Sequence, residues 1–310
     1  MMTPADARRR LVELIDAGRL DLPDPGVGRT DERWLALFEL ARAEDVSVAR
    51  LAEAHVDAVA ILHEAGLQPL SGAVYGVWAS VGRNGRDASI DAARSLNGIK
   101  PFCSGLGIID RALVEVHDGD RRVLVDVDVR PSDSISFSIT WGTEALAATA
   151  TGGVEFDRHR GTDDRAVGPP GWYLHRVGFW HGAPGPAACW AGGAAGLVDR
   201  SEPADDPHRL ARHGAMLAEA TLFEAVLVRS GREIDSDPTN PTAAMAGALT
   251  TRYLVHESCT RILDQFARAF GPRRLIEQCS AQRYGDTQLY IRQFHADHDL
   301  VALARSGVGP

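Results

Sequence analysis

The chain is 310 residues long and 45% hydrophobic, with 33 Lys+Arg against 42 Asp+Glu and a formal net charge of -9. Such a length allows a sizeable core in two or three packed units, and the acidic balance argues against nucleic acid as a partner. No stretch approaches the ~18 apolar residues of a membrane span, and MMTPADARRR has no apolar run behind it, so a cytoplasmic protein that does not engage a membrane is expected.

Residues 1–70 read as helices. The segment 5–17 places Leu11, Leu14 and Ile15 at helical spacing. A Pro/Gly linker follows at 21–28, and Thr30 with Glu32 opens a second helix containing Trp34, Leu35, Leu37, Phe38 and Leu40. A third, 46–65, carries Val48, Leu51, His55, Ala58, Val59 and Leu62 on one stripe before Gly66 ends it. His55 and His63 on or beside that stripe read as satisfied core or surface residues.

From about Ser71 the period changes. The segments 72–80, 108–116, 122–129 and 135–141 are rich in Val, Ile and aromatics and are separated by turn-forming sequences. Strict alternation in VLVDVDV predicts a half-buried strand with Asp126 and Asp128 on its solvent face. Residues 149–156 continue the pattern, and the block reads as an antiparallel barrel or sandwich. Within it, LNGIKPFCSGLGIIDRALVEV (96–116) predicts a turn at Leu96-Asn97-Gly98, a short strand to Ser104, a break at Gly105 to Gly107, and a second strand. The Ser104 hydroxyl, between Phe102 and the bare backbone of Gly105, offers a planar ligand a stacking face and hydrogen bonds. A plain hairpin with a glycine-rich turn is the other reading. Lys100, the only lysine of the chain, sits in this motif.

The run GFWHGAPGPAACWAGGAAG (178–196) is too small-residued for a hydrophobic core helix and suits close helix packing or close approach to a ligand. Three helical stretches follow, 208–228, 241–270 and 281–304, with Gly271-Pro272 as a stop signal, as in an antiparallel bundle. Cys103, Cys189, Cys259 and Cys279 are dispersed and form no CxxC pair, so reduced thiols are expected.

The motif Asn97, Gly98, Lys100, Phe102, Cys103, Ser104, Asp110, Leu113 and Val114 resembles the flavin-binding strand pair of the acyl-CoA dehydrogenase family. Tyr75-Gly76-Val77-Trp78 falls where that family has its other flavin strand. The order of helices, strands and helices is also that family's. The resemblance implies an α+β fold with an N-terminal helical domain (1–70), a central antiparallel β-barrel or sandwich domain (71–178) and a C-terminal helical bundle (179–310). It further implies FAD between barrel and bundle, a small-molecule substrate such as an acyl-CoA or another acyl thioester, and a homodimer or homotetramer. Tyr75, Val77, Trp78, Phe102 and Ser104 match flavin-ring positions, and Arg268 is placed to pair with a phosphate.

The family's catalytic glutamate is missing. Its usual window here reads Tyr290 to Ala296 without an acid, and the alternative location, 180–186, has none either. His295 is the best substitute as a base, with Asp297, Asp299 and His181 behind it. His295, Asp297, His298 and Asp299 read as a solvated helix face rather than a metal cluster. GVGRTD and GLGIID lack a complete dinucleotide fingerprint, and neither GxxxxGK[ST] nor a nucleophile elbow occurs. An FAD-dependent oxidoreductase is therefore expected; a flavin oxygenase on the same fold and a catalytically silent homologue are the alternatives.

Overall fold

The computed structural model describes residues 2–82, 87–161, 164–201, 205–294 and 296–307, with the backbone alone at 278, 279 and 296. Helix α1 (Pro4–Asp16) starts in a capping box, in which Thr3 accepts from Asp6 N and the Asp6 carboxylate accepts from Thr3 N. Helix α2 (Thr30–Ala43) has no side-chain cap of its own, whereas α3 (Val46–Glu64) is capped by Asp45. These helices lie within a residue or two of their predicted spans.

Among the described residues eight strands follow: β1 (Tyr75–Trp78), β2 (Ser89–Ile90), β3 (Leu96–Cys103), β4 (Arg111–Asp118), β5 (Arg121–Asp128), β6 (Ile135–Ser138), β7 (Gly152–His159) and β8 (Arg165–Val167). They form one sheet in the order β6-β7-β3-β2-β4-β5-β8, with β1 paired to β4. Most pairs are antiparallel, but β1 and β2 run parallel to β4, so the sheet is mixed where an antiparallel one was expected. The predicted turn at Leu96 to Gly98 is instead the start of β3. The register shifts there, and Gly98 adopts a φ of 99°, so the chain absorbs the turn signal as a bulge. A second irregularity before Cys103 leaves Phe102 at a φ of 54°, facing outward while Cys103 is buried.

Both faces of the sheet are covered. One core contains Trp78, Val114, Val125 and Val127; the other joins Tyr75, Leu113, Leu124 and Val167 to Ala58, Ile61 and Leu62 of α3. Asp126 therefore does not reach solvent as predicted. It is fully buried, accepts from Arg111 Nε at 2.7 Å and Arg165 Nε at 3.0 Å, and receives the Tyr75 hydroxyl at 3.3 Å.

After the sheet come α4 (Trp172–His175), α5 (Val177–Gly182) and α6 (Pro184–Asp199), then α7 (Pro207–Ser236), α8 (Pro241–Arg274), α9 (Gln278–Tyr290) and α10 (Ala296–Arg305). The close helix packing expected of its small residues is present in α6, but it is also a buried core helix, which that reading excluded. Ala187, Ala188, Trp190, Ala191 and Ala194 are inaccessible, and a side chain at Gly192 would strike the Phe38 carbonyl of α2. Helix α7 runs past the predicted 228 to Ser236. The expected stop at Gly271-Pro272 is a kink inside α8, with Gly271 at a φ of 62°. The predicted 281–304 helix is broken at residues 291–293 by a 3-10 turn.

The cap missing from α2 comes from α7. Asp235 accepts from Thr30 N at 2.8 Å, Thr30 Oγ1 at 2.6 Å and Gly28 N at 2.9 Å, fixing the bundle to the N-terminal helices. Asp235→Ala removes all three bonds and a negative charge at a helix N-terminus. Urea unfolding should show a loss of about 1–2 kcal/mol at an unchanged m-value.

Candidate functional site

Helical spacing places Arg50, Glu53, Asp57 and Glu64, at offsets of 3, 7 and 14, along one stripe of α3. That stripe is turned inward against α5 and α6, where glycines make room for it. A methyl group at Gly182 would come within 2.7 Å of Asp57 Oδ1, and one at Gly185 within 2.9 Å of Glu53 Oε1. The two carboxyls thus lie against bare backbone and line a cavity of about 310 Å³ with Tyr173, Phe179, Trp180, Arg176, Arg252 and Asp299.

The cavity's charges are unequally matched. Arg176 pairs with Glu64 and stacks 5.3 Å over Tyr173. Arg252 donates to the Ala183 carbonyl at 3.0 Å, lies 4.9 Å over the Trp190 ring and stands 3.9 Å from Asp299. Among the described residues neither Glu53 nor Asp57 makes a hydrogen bond or an ion pair; Arg50, Arg33 and Arg252 act on Glu53 only through space. Burial, and then the nearby Asp57, push the Glu53 carboxyl up to about 8. Burial also raises Asp57.

At the other end of the stripe Arg50 donates to Ser104 Oγ at 3.2 Å, and that hydroxyl shares a 2.8 Å bond with Thr151 Oγ1. Arg50 also lies 5.2 Å over the ring of Tyr290, which meets Trp190 edge-on at 6.1 Å. The stripe therefore links the Ser104 turn to the cavity.

The predicted ring contacts divide on this geometry. Phe102 is 74% exposed, two residues before the half-buried Ser104, whose hydroxyl is bonded to Arg50 and Thr151. Trp78 is buried, and its Nε1 donates to the Ser104 carbonyl at 2.9 Å, so its side chain points into the core. Tyr75 is fully buried on the opposite face of β1; its backbone N–H donates to His55 Nδ1 at 3.1 Å and its hydroxyl to Asp126. Val77 packs on that same side, against the cluster that contains Tyr75 and Leu113. Arg268 is exposed on α8 and bonded to Asp264 at 2.7 Å, on a different element from the Phe102 and Ser104 pair.

His295, the predicted base, lies outside the described residues. Of its stand-ins, Asp297 is exposed, Asp299 stands at the cavity beside Arg252, and His181 is buried with Nε2 lacking a partner among the described residues. Glu53 and Asp57 were not anticipated. Their signal was two acids four apart on a helix whose remaining length reads as core, a pattern that ordinarily marks a solvated face.

No family model matches the chain, and no curated protein matches it. Solved structures do. Dibenzothiophene monooxygenase TdsC from Paenibacillus sp. A11-2, solved with FMN and indole, is 17% identical with a TM-score of 0.77, covering 97% of this chain and 88% of its own. Butyryl-CoA dehydrogenase from Megasphaera elsdenii is 13% identical with a TM-score of 0.76, over 96% and 89% of the two chains. The chain has the acyl-CoA dehydrogenase fold. Nitrososynthase from Micromonospora carbonacea var. africana, 17% identical with a TM-score of 0.77 over 100% and 90%, shares it. Of the residues matched to flavin-ring positions, Phe102 is exposed and Ser104 half-buried, whereas the side chains of Tyr75 and Trp78 are buried. Among the described residues, no helix is long and apolar enough to cross a membrane.

Proposed function

We propose that the protein is a flavin-dependent oxidoreductase acting on a small molecule bound in the cavity beside Glu53. The observation that carries this is the exposed ring of Phe102, two residues before Ser104, on a fold shared with TdsC, which was solved with FMN. A bound flavin supplies hydride acceptance or dioxygen activation. Phe102, Ser104 and the backbone at Val77 would hold it, Phe102 by stacking and Ser104 by hydrogen bonding. Glu53, buried and near neutrality, takes the proton-handling role that the missing glutamate vacates, with Asp57 as its partner.

FAD is the cofactor implied by resemblance, with Arg268 as its phosphate contact on exchanging Asp264 for a phosphate. An acyl thioester is the corresponding substrate, in a homodimer or homotetramer. The acids lining the cavity favour a compact polar substrate over an acyl chain, and with it the oxygenase variant of the reading. The silent-homologue reading has one observation in its favour: Trp78 Nε1 and Ser104 Oγ are already bonded within the chain.

Titration with FMN and FAD, followed by quenching of flavin fluorescence, decides between them. One flavin should bind in the micromolar range or tighter, and Phe102→Ala should weaken it about tenfold through lost stacking. Failure of both flavins to bind at millimolar concentration would refute the redox assignment.

A further inference from the structure

The geometry points to an amine, a molecule carrying one cationic nitrogen next to a compact apolar body, as the occupant of the cavity between α3, α5, α6 and α8. This rests on the cavity being the substrate site, as proposed above. Its lining contains three acids, Glu53, Asp57 and Asp299, and two guanidiniums, Arg176 and Arg252. Each guanidinium already has an acid: Glu64 for Arg176 and, at 3.9 Å, Asp299 for Arg252. Both are also stacked on protein aromatic rings, Arg176 on Trp172 and Tyr173, Arg252 on Trp190 and Phe294. Arg176 Nε has no hydrogen-bond partner among the described residues, but the lining side chains left without either a hydrogen bond or an ion pair include two acids, Glu53 and Asp57.

Glu53 is only 6% exposed, lines the cavity and makes neither a hydrogen bond nor an ion pair among the described residues. A buried carboxyl in that condition is costly unless a partner arrives, and the partner it lacks is a cation or a donor. Tyr173, Phe179 and Trp180 supply the remaining walls, and aromatic faces beside carboxylates favour a cationic nitrogen a second time. The volume of about 310 Å³ sits at the small end of ligand pockets, which sets the size of the body. A carboxylate ligand would have to break the existing pairs of Arg176 or Arg252 and would face three acids.

The experiment uses the flavin-free full chain and three probes of one shape: benzylamine, benzyl alcohol and benzoate. Binding is measured by calorimetry for the parent and for the isosteric variants Glu53→Gln and Asp57→Asn. Benzylamine should bind at least tenfold tighter than either other probe, and Glu53→Gln should erase that preference while leaving affinity for benzyl alcohol within about threefold. Should Glu53→Gln fold poorly, as judged by its thermal transition, Asp57→Asn gives the same reading at an expected three- to tenfold loss. Benzoate binding as well as benzylamine, or a preference untouched by both variants, overturns the inference. Because no flavin is present, that result is independent of whether the protein binds one.

Discussion

Asp126→Ala will be among the most destabilising single substitutions in the sheet, costing about 3–5 kcal/mol. The carboxylate is inaccessible to solvent and holds Arg111, itself 4% exposed, by a 2.7 Å bond. It also anchors Arg165 at 3.0 Å and the Tyr75 hydroxyl at 3.3 Å. Removing it deprives two guanidiniums and a buried phenol of their shared carboxylate, and Arg111 keeps its 3.1 Å bond to the residue 126 carbonyl while losing the charge that offset its burial. Because the three donors share one acceptor, Arg165→Met should cost much less in the Asp126→Ala background than alone. The control lies two residues on. Asp128 pairs with Arg130, which is well exposed, so Asp128→Ala should cost less than about 1 kcal/mol. Urea unfolding of the four variants checks this, and equal losses at 126 and 128 would show that the two aspartates share one environment.

Those two aspartates also mark the limit of what the sequence discloses. Alternation in β5 correctly separates Val125 and Val127 from Asp126 and Asp128, because side-chain direction is a local property of a strand. Whether the polar side meets water depends on what packs over it, and α3 lies more than 60 residues earlier in the chain. The spans of α1 and α3 were legible for the same reason, although the sequence reading did not name their caps, Thr3 and Asp45, which act on their own first turns. The cap of α2 was not, because Asp235 comes from across the molecule. At the candidate site Phe102 and Ser104 were readable as a local motif, while Trp78, two positions past Gly76 in a matching strand, turned out to point inward. Glu53 and Asp57 stayed hidden because their stripe is polar by composition and buried only by α5 and α6. Sequence periodicity reports which residues share a face, not which faces find partners.

Glu53→Gln should make the protein more stable relative to the parent as the pH rises. The folded carboxyl is pushed up to about 8 from an ordinary value near 4.5, chiefly by burial and next by Asp57. An acid raised in this way holds its proton more tightly in the folded chain, so its contribution is complete below pH 4.5 and is lost as the pH climbs through about 8. The groups facing it are Asp57 and Arg50 on its own helix, Arg33 from α2, and Arg252 from α8 with Asp299 of α10 behind it; Cys189 and Tyr290, both raised by burial, stay neutral. Asp57 is raised in the same direction and interacts with Glu53, so the comparison reads the titration of the pair with and without an acid at residue 53. Between pH 5 and pH 9 the difference in unfolding free energy, variant minus parent, should grow by an amount on the order of 3 kcal/mol. Urea unfolding of both proteins at the two pH values measures it. A difference that does not change with pH would mean that Glu53 is ionised and paired throughout, which would remove it from proton transfer and leave the cavity without an uncommitted acid.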